Sequence, residues 1–249
     1  MHVLAVYSIK GGVGKTSSAV NLAYTAARHG YRILVWDLDP QGASSYYFRI
    51  KPKIKGGSKD LIAGKRELDG LIKGTDFDNL DLLPSDFSFR NLDLVLDAKK
   101  KPTQQLKKLL RPLSSEYDFI FLDCPPNISL LSEAVFEAAD MLLSPIIPTT
   151  LSLRTLEQLE KFIEDNGLKK LALIPFFSMA DRRKKMHREI MGKLLEIHPG
   201  MLTTAIPYAS DIERMGLERM PLGGYIKKSL STIAYDALWQ EILGRIAQK

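Results

Sequence analysis

Residues 8 to 18 read SIKGGVGKTSS, and they directly follow the apolar run HVLAVYS at residues 2 to 8. Three closely spaced glycines ahead of a Lys-Thr pair constrain the backbone more than any other stretch of the chain. Glycines 11, 12 and 14 let successive main-chain N–H groups turn inward around phosphate oxygens, and a helix opening behind them adds the partial positive charge of its N-terminus. Lys15 would reach the outer phosphates of a nucleotide, and Thr16 would offer its hydroxyl to Mg2+. A strand, this loop and then a helix is the context a phosphate-binding loop requires. The candidate cradle is therefore Lys10, Gly11, Gly12, Val13, Gly14, Lys15, Thr16 and Ser17. Lys10 is a second lysine where one is ordinarily enough.

Short, mostly continuous apolar runs recur at 2–8, 31–37, 80–85, 117–123, 140–148, 170–178 and 202–208. Continuous rather than alternating hydrophobicity fits strands covered on both faces. Helical patterns at 15–29, 103–112, 129–138, 153–165 and 185–197 lie between them. The succession predicts an α/β chain with a doubly wound, mostly parallel β-sheet flanked by helices. With 249 residues, 45% of them hydrophobic, one domain spanning residues 1–249 is expected. Residues 49–75 are rich in Gly and Lys with weak periodicity, and read as a mobile surface excursion with one short helix.

In such sheets ligands bind beyond the carboxyl ends of the strands, so acids should follow the apolar runs. The second run ends in DLDPQG (37–42). Asp37 and Asp39, at i and i+2 on an extended segment, can both face the loop. One carboxylate can orient an attacking water, and the other can hold the metal's hydration shell or cap the turn. The fourth run ends in FIFLDCPP (119–126) and delivers Asp123, placed as a Walker B acid that binds Mg2+ through water. Thr16 and Asp123 are the candidate metal residues, with Asp37 or Asp39 beside them, and Lys15 is the candidate catalytic lysine. The only cysteine, Cys124, cannot form an internal disulfide and reads as a small buried apolar residue.

KGGVGKT, DLDPQG, DCPPNISLLSEAVFEAADMLLSPIIPT and IPYASDIERMGLERMPLGGY together resemble the deviant Walker A ATPases of the ParA/MinD family, over essentially the whole chain. The resemblance implies a P-loop NTPase fold with ATP and Mg2+ as cofactors. It implies that Lys10 crosses the interface of an ATP-dependent homodimer to the phosphates held by the other subunit. It further implies that Asp39 positions the lytic water, and that Pro125 and Pro126 begin a switch loop sensing the γ-phosphate. By the same resemblance the adenine pocket would use Ser178, Met179 and the stretch from Pro207 to Ile212, including Tyr208, Ala209 and Asp211.

The family divides by partner: ParA-like members bind DNA without sequence preference and position a cargo, with an adaptor (ParB-like) protein stimulating hydrolysis, whereas MinD-like members bind membrane. Charge bears on the choice. Residues 1 to 166 hold 21 basic and 21 acidic side chains, and residues 167 to 249 hold 14 and 8, so the whole excess of +6 lies in the last third. DRRKKMHR (181–188) supplies Arg182, Arg183, Lys184 and Lys185, and YIKKS supplies Lys227 and Lys228. Such runs suit double-stranded DNA read through its phosphates, although solvated surface lysines look the same. The terminal stretch ALWQEILGRIAQK aligns Leu238, Trp239, Ile242, Leu243 and Ile246, a face that can lie on a membrane or dock on the core; its few cations favour docking.

No run of 18 apolar residues is present, and Met1 leads into VLAVYS without a charged head or cleavage site, which predicts a cytoplasmic protein; the DNA binding that the ParA-like resemblance implies would make it nucleoid-associated, with a membrane partner the lesser expectation. No N-terminal helix-turn-helix precedes the first strand, so operator recognition is not expected. A nitrogenase-type reductase on the same scaffold would need two cysteines from each subunit for its shared cluster, and a ligase would need a second substrate pocket that no motif marks.

Overall fold

The computed structural model describes residues 1–65 and 68–248. In chain order its elements are β1 (His2–Val6), α1 (Lys15–Arg28), β2 (Ile33–Asp37), α2 (Ala43–Tyr47), α3 (Gly57–Ile62), β3 (Lys73–Gly74), β4 (Leu80–Leu83), α4 (Leu92–Asp97), α5 (Gln105–Leu110), β5 (Phe119–Asp123), α6 (Leu130–Ala138), β6 (Met141–Ile146), α7 (Thr150–Asp165), β7 (Ala172–Ala180), α8 (Lys185–Ile197), β8 (Ala205–Pro207), α9 (Ser210–Glu213), α10 (Met215–Glu218), α11 (Leu222–Tyr225) and α12 (Leu230–Ala247). The strands form one eight-stranded sheet in the order β3-β4-β2-β5-β1-β6-β7-β8. Every pairing is parallel except β3 with β4. All seven expected strand runs are strands. The eighth, β3, is two residues long and leaves no periodic trace.

The continuous apolar runs are explained by burial on both sides. Successive residues of a strand point to opposite faces. Val3, Ala5, Leu34, Trp36, Ile120 and Leu122 pack under α4, α5 and α6. Leu4, Val6, Ile33, Val35, Phe119 and Phe121 pack under α1 and α12. β1 lies at the centre, with β5 on one side and β6 on the other, so the chain crosses over beside the strand that carries the glycine loop. That crossover opens the crevice in which ligands of parallel sheets bind.

The stretch 49–75 differs from its expectation, part of which, residues 66 and 67, lies outside the described residues. The single short helix is present as α3. Ile54, Leu61, Ile62, Leu68 and Leu71 are nevertheless buried in the core. Five apolar residues spaced without a clean helical or strand period give a weak pattern but still cover the sheet.

The C-terminal helix docks. Leu238, Trp239 and Ile242 are fully buried, with Leu243 and Ile246 packed against the same cluster. The Trp239 ring meets Tyr31 and Phe119 edge-on, at centroid distances of 5.9 and 5.0 Å. The apolar face that might have met a membrane is therefore spent on the protein. Glu241 reinforces the docking from the same helix: it accepts hydrogen bonds from the Thr203 N–H (2.7 Å) and the Thr204 N–H (2.8 Å) just before β8. Among the described residues no helix is long and apolar enough to cross a membrane. Trp239→Ala should lower the unfolding free energy by about 3–5 kcal/mol in urea titrations; an unchanged midpoint would mean that α12 does not hold the core together.

Candidate nucleotide site

The glycine loop turns as its composition requires. Gly12 and Gly14 have φ of 70° and 88°, in the left-handed region that side chains with a Cβ rarely adopt. Gly14 caps α1, and a Cβ there would sit 2.8 Å from the Ser178 hydroxyl oxygen at the end of β7. Only glycine lets the loop press against that strand. The Lys15 side chain is buried and its Nζ donates to the Lys10 carbonyl (3.2 Å), folding back over the loop. Burial lowers the pKa of this ammonium, and the nearby Asp123 opposes the shift. Lys10 is half-buried, and among the described residues its ammonium forms no ion pair.

The carboxylates converge under this loop because β1, β5 and β2 are in register: Val6 pairs with Asp123, and Asp123 with Asp37. Asp123 is fully buried. Its Oδ1 accepts from the Thr16 hydroxyl (3.2 Å) and its Oδ2 from the Ser44 hydroxyl (2.7 Å). Burial pushes this carboxyl up, against the two hydroxyl hydrogen bonds that favour its charge. Asp37 is also fully buried; its Oδ2 accepts from both the N–H (2.8 Å) and the hydroxyl (2.7 Å) of Ser45. Burial first, and the neighbouring Asp123 second, push Asp37 upward.

The two aspartates of DLDPQG do not act as an equivalent pair. β2 ends at Asp37, whose side chain is consumed by α2, while Asp39 stands beyond the strand end, half-buried, its Oδ1 accepting from the Gln41 N–H (2.9 Å). Ser44 and Ser45 were not singled out from the sequence. Their signal was available in QGASSY, where small hydroxyl residues sit at the start of a helix facing two strand-end acids.

The chemistry of this donor set fits a magnesium nucleotide. The Thr16 hydroxyl and the Asp123 carboxylate, hard oxygen donors, already meet each other at the mouth of a loop of inward N–H groups. Among the described residues no cluster of three or more His, Cys, Asp or Glu could hold a metal alone. A Mg2+ here would draw on the Thr16 hydroxyl, Asp123 and Asp39, with phosphate and water oxygens completing the shell. Pro126 lies against the loop, 4.0 Å from where a Cβ of Gly11 would be, and the Tyr7 hydroxyl donates to the Asn127 carbonyl (3.0 Å), joining the 125–129 stretch to the end of β1. Cys124 is buried, and burial raises its thiol pKa, which makes it unreactive.

Residues expected at the base are brought to the neighbouring strand ends. Ser178 touches the glycine loop, and Met179 has a left-handed φ of 51° where the β7–β8 register slips between Phe177 and Ala180. Pro207 ends β8 and Tyr208 is 57% exposed. Asp211 is different: its Oδ1 accepts from the Ser231 hydroxyl (2.8 Å) and its carbonyl from the Tyr225 hydroxyl, so it faces inward to the C-terminal helices.

The basic residues expected to meet DNA lie on the surface. Arg182, Arg183, Lys184, Lys185, Lys227 and Lys228 are all exposed. Arg183 makes a two-pronged contact with Asp181 (2.9 and 3.0 Å) and Lys185 lies 3.5 Å from Glu189. Exposed pairs of this kind contribute about 0–1 kcal/mol, so a phosphate can displace them. A cleft of about 650 Å3, lined by Arg182, Arg183, Tyr208 and Leu230 among others, connects the 181–183 loop to the start of α12, just beyond Lys227 and Lys228.

Comparison with known proteins gives the same assignment. The family model described as "AAA domain" matches residues 1–171. The chain is 29% identical over 245 residues to the chromosome-partitioning ATPase Soj of Treponema pallidum, covering 96% of both chains. It superposes on cobyrinic acid a,c-diamide synthase of Mycobacterium smegmatis, solved with a bound ATP analogue and magnesium, with a TM-score of 0.81 at 25% identity, over 98% of this chain and 94% of that one. It also superposes on a putative plasmid partition protein of Borrelia burgdorferi B31, with a TM-score of 0.85 at 22% identity over 98% and 99% of the two chains, a likeness of fold.

Gly14→Ala should strain the loop by about 1–3 kcal/mol and weaken nucleotide binding at least tenfold in fluorescence titrations, because the new Cβ meets Ser178; Gly12→Ala, with open space around it, should cost less. With the loop, the strand-end carboxylates, the sheet order and the relatives in agreement, the chain belongs to the ParA/MinD-type family of P-loop ATPases.

Proposed function

We propose that the protein is a ParA-like ATPase switch: it binds ATP and Mg2+, pairs into a homodimer across two nucleotides, holds DNA without sequence preference and positions a cargo, and an adaptor protein stimulates its hydrolysis. One observation carries the reading. Two lysines belong to one phosphate loop, and they play different parts: Lys15 folds back into the loop, while Lys10 keeps an ammonium with no ion pair among the described residues. A second cation facing the triphosphate of a twin subunit would offset the repulsion between two nucleotides. Mg2+ at Thr16 and Asp123 would neutralise charge building up on the phosphates. Asp39, beyond the strand end and less enclosed than Asp37, would orient the attacking water.

DNA is favoured over membrane by two features. The apolar face of α12 is buried in the core, and the cations of the 181–185 and 227–228 stretches are all exposed, with Arg182 and Arg183 lining a cleft that reaches Leu230, two residues beyond Lys228. A monomer holding few phosphate contacts binds DNA weakly, and joining two such surfaces multiplies the affinity. The adaptor would then act by altering the lifetime of the paired state. These features also favour residues 1–249 working as one ATPase domain in the cytoplasm at the nucleoid.

The test is mass by light scattering together with DNA binding. Asp39→Ala saturated with ATP and magnesium should double its mass and lose hydrolysis by about 100-fold or more, and Lys10→Ala should remain single while still binding ATP. Unchanged mass of the Asp39 variant would remove the dimer reading. On generic duplex, the logarithm of affinity should fall linearly with the logarithm of salt concentration, and Lys227→Ala or Lys228→Ala should each reduce that slope by about 1. Equal DNA affinity with ATP and with ADP would remove nucleotide control.

A further inference from the structure

The stretch Leu222–Ser231 carries Lys227 and Lys228 and is tied at both ends to elements of the nucleotide site. At its first end the Asn21 side chain accepts the Leu222 N–H (2.8 Å), and its amide group donates to the Ser17 carbonyl (2.8 Å). One turn further along α1, the Tyr24 hydroxyl donates to the Gly223 carbonyl (2.9 Å). Asn21 is 2% exposed, and Ser17 directly follows Thr16 of the phosphate loop. At its second end both ties meet on Asp211, which closes the loop leaving β8. The Tyr225 hydroxyl donates to the Asp211 carbonyl, and the Ser231 hydroxyl to its Oδ1 (2.8 Å). Burial holds the Tyr225 phenol protonated up to about 12, so it remains a donor.

Between these anchors Lys227 and Lys228 are exposed and form no ion pair among the described residues. A buried hydrogen-bonding group left without its partner costs about 1–3 kcal/mol. Neither the first turn of α1 nor the 207–211 loop can therefore shift without carrying the stretch along or breaking several such bonds. A ligand that binds both elements biases their arrangement, and whatever is bonded to both follows.

We infer that Leu222–Ser231 transmits nucleotide occupancy to the surface by setting the position of Lys227 and Lys228, with Asp211 a positioning residue for that stretch and not a contact to the base. This rests on the nucleotide and DNA reading above and adds its route. The route also separates two kinds of cation: Lys227 and Lys228 respond to the nucleotide, while Arg182 and Arg183, which line the cleft from the 181–183 loop, are not tied to Asp211.

Amide hydrogen exchange on the full chain, with and without ATP and magnesium, tests it. In the wild type, ATP should slow exchange across residues 11–17 and change it about fivefold or more at 226–230. The double variant Tyr225→Phe, Ser231→Ala should keep the first response and lose the second, and its DNA affinity should differ less between ATP and ADP than that of the wild type, the remainder coming from pairing of two subunits. Ser231→Thr, which keeps a hydroxyl, should behave as wild type; a thermal melt confirms that each variant is folded. Protection at 11–17 with no change at 226–230 in the wild type, or a double variant that retains both responses, would overturn the route alone. No protection at 11–17 would overturn the nucleotide reading, and the route with it.

Discussion

Two carboxyl groups, Asp37 and Asp123, end adjacent parallel strands in register with no exposure to solvent. Neighbouring strands are about 4.8 Å apart, so two negative charges there would repel strongly in a medium of low dielectric. The surroundings answer that constraint. Ser45 donates twice to Asp37, Ser44 and Thr16 donate to Asp123, and the Lys15 ammonium lies close enough to perturb Asp123 electrostatically. Each donor comes from an element whose position would otherwise be set by packing alone. α1 starts where Thr16 can reach Asp123, and α2 starts where its serines can reach both acids.

The same polarity organises the site as a whole. Lys15 folds back over the glycine loop, Asp37 and Asp123 end the strands beside it, and the hydroxyl groups of Thr16, Ser44 and Ser45 meet those acids. Such a layered arrangement suits a ligand that brings both negative charge and a divalent cation, and it is complete at the phosphate end. Met179, Pro207 and Tyr208, with no charged side chain among them, lie at or just beyond the ends of β7 and β8.

The exposed cations of the last third lie outside that layering. Several are held in weak surface pairs, which would yield readily to a denser polyanion. The 222–231 stretch that carries Lys227 and Lys228 is joined to α1 and to the loop after β8 through hydrogen bonds of Asn21, Tyr24, Tyr225 and Ser231, side chains with no charge of their own.

Local chemistry was sufficient for much of this. Glycines 12 and 14 adopt the left-handed turn their composition calls for, the apolar runs are strands because a two-sided sheet needs continuous hydrophobicity, and Asp123 stands at a strand end because an apolar run delivers it there. The buried role of Ile54, Leu61, Ile62, Leu68 and Leu71 was illegible because apolar residues scattered around one short helix have no period to detect. Asp37 and Asp39 looked alike because spacing on an extended segment says which way side chains point and not where the strand stops. α12 docks on the core, as its few cations predict, but Asp211 turned inward for the same kind of reason: which surfaces of a chain meet is decided by distant partners such as Ser231, brought together only when the sheet order closes. Residue types and spacing determined the loop, the strands and the acids by themselves; the tertiary structure alone decided which polar groups those acids would meet.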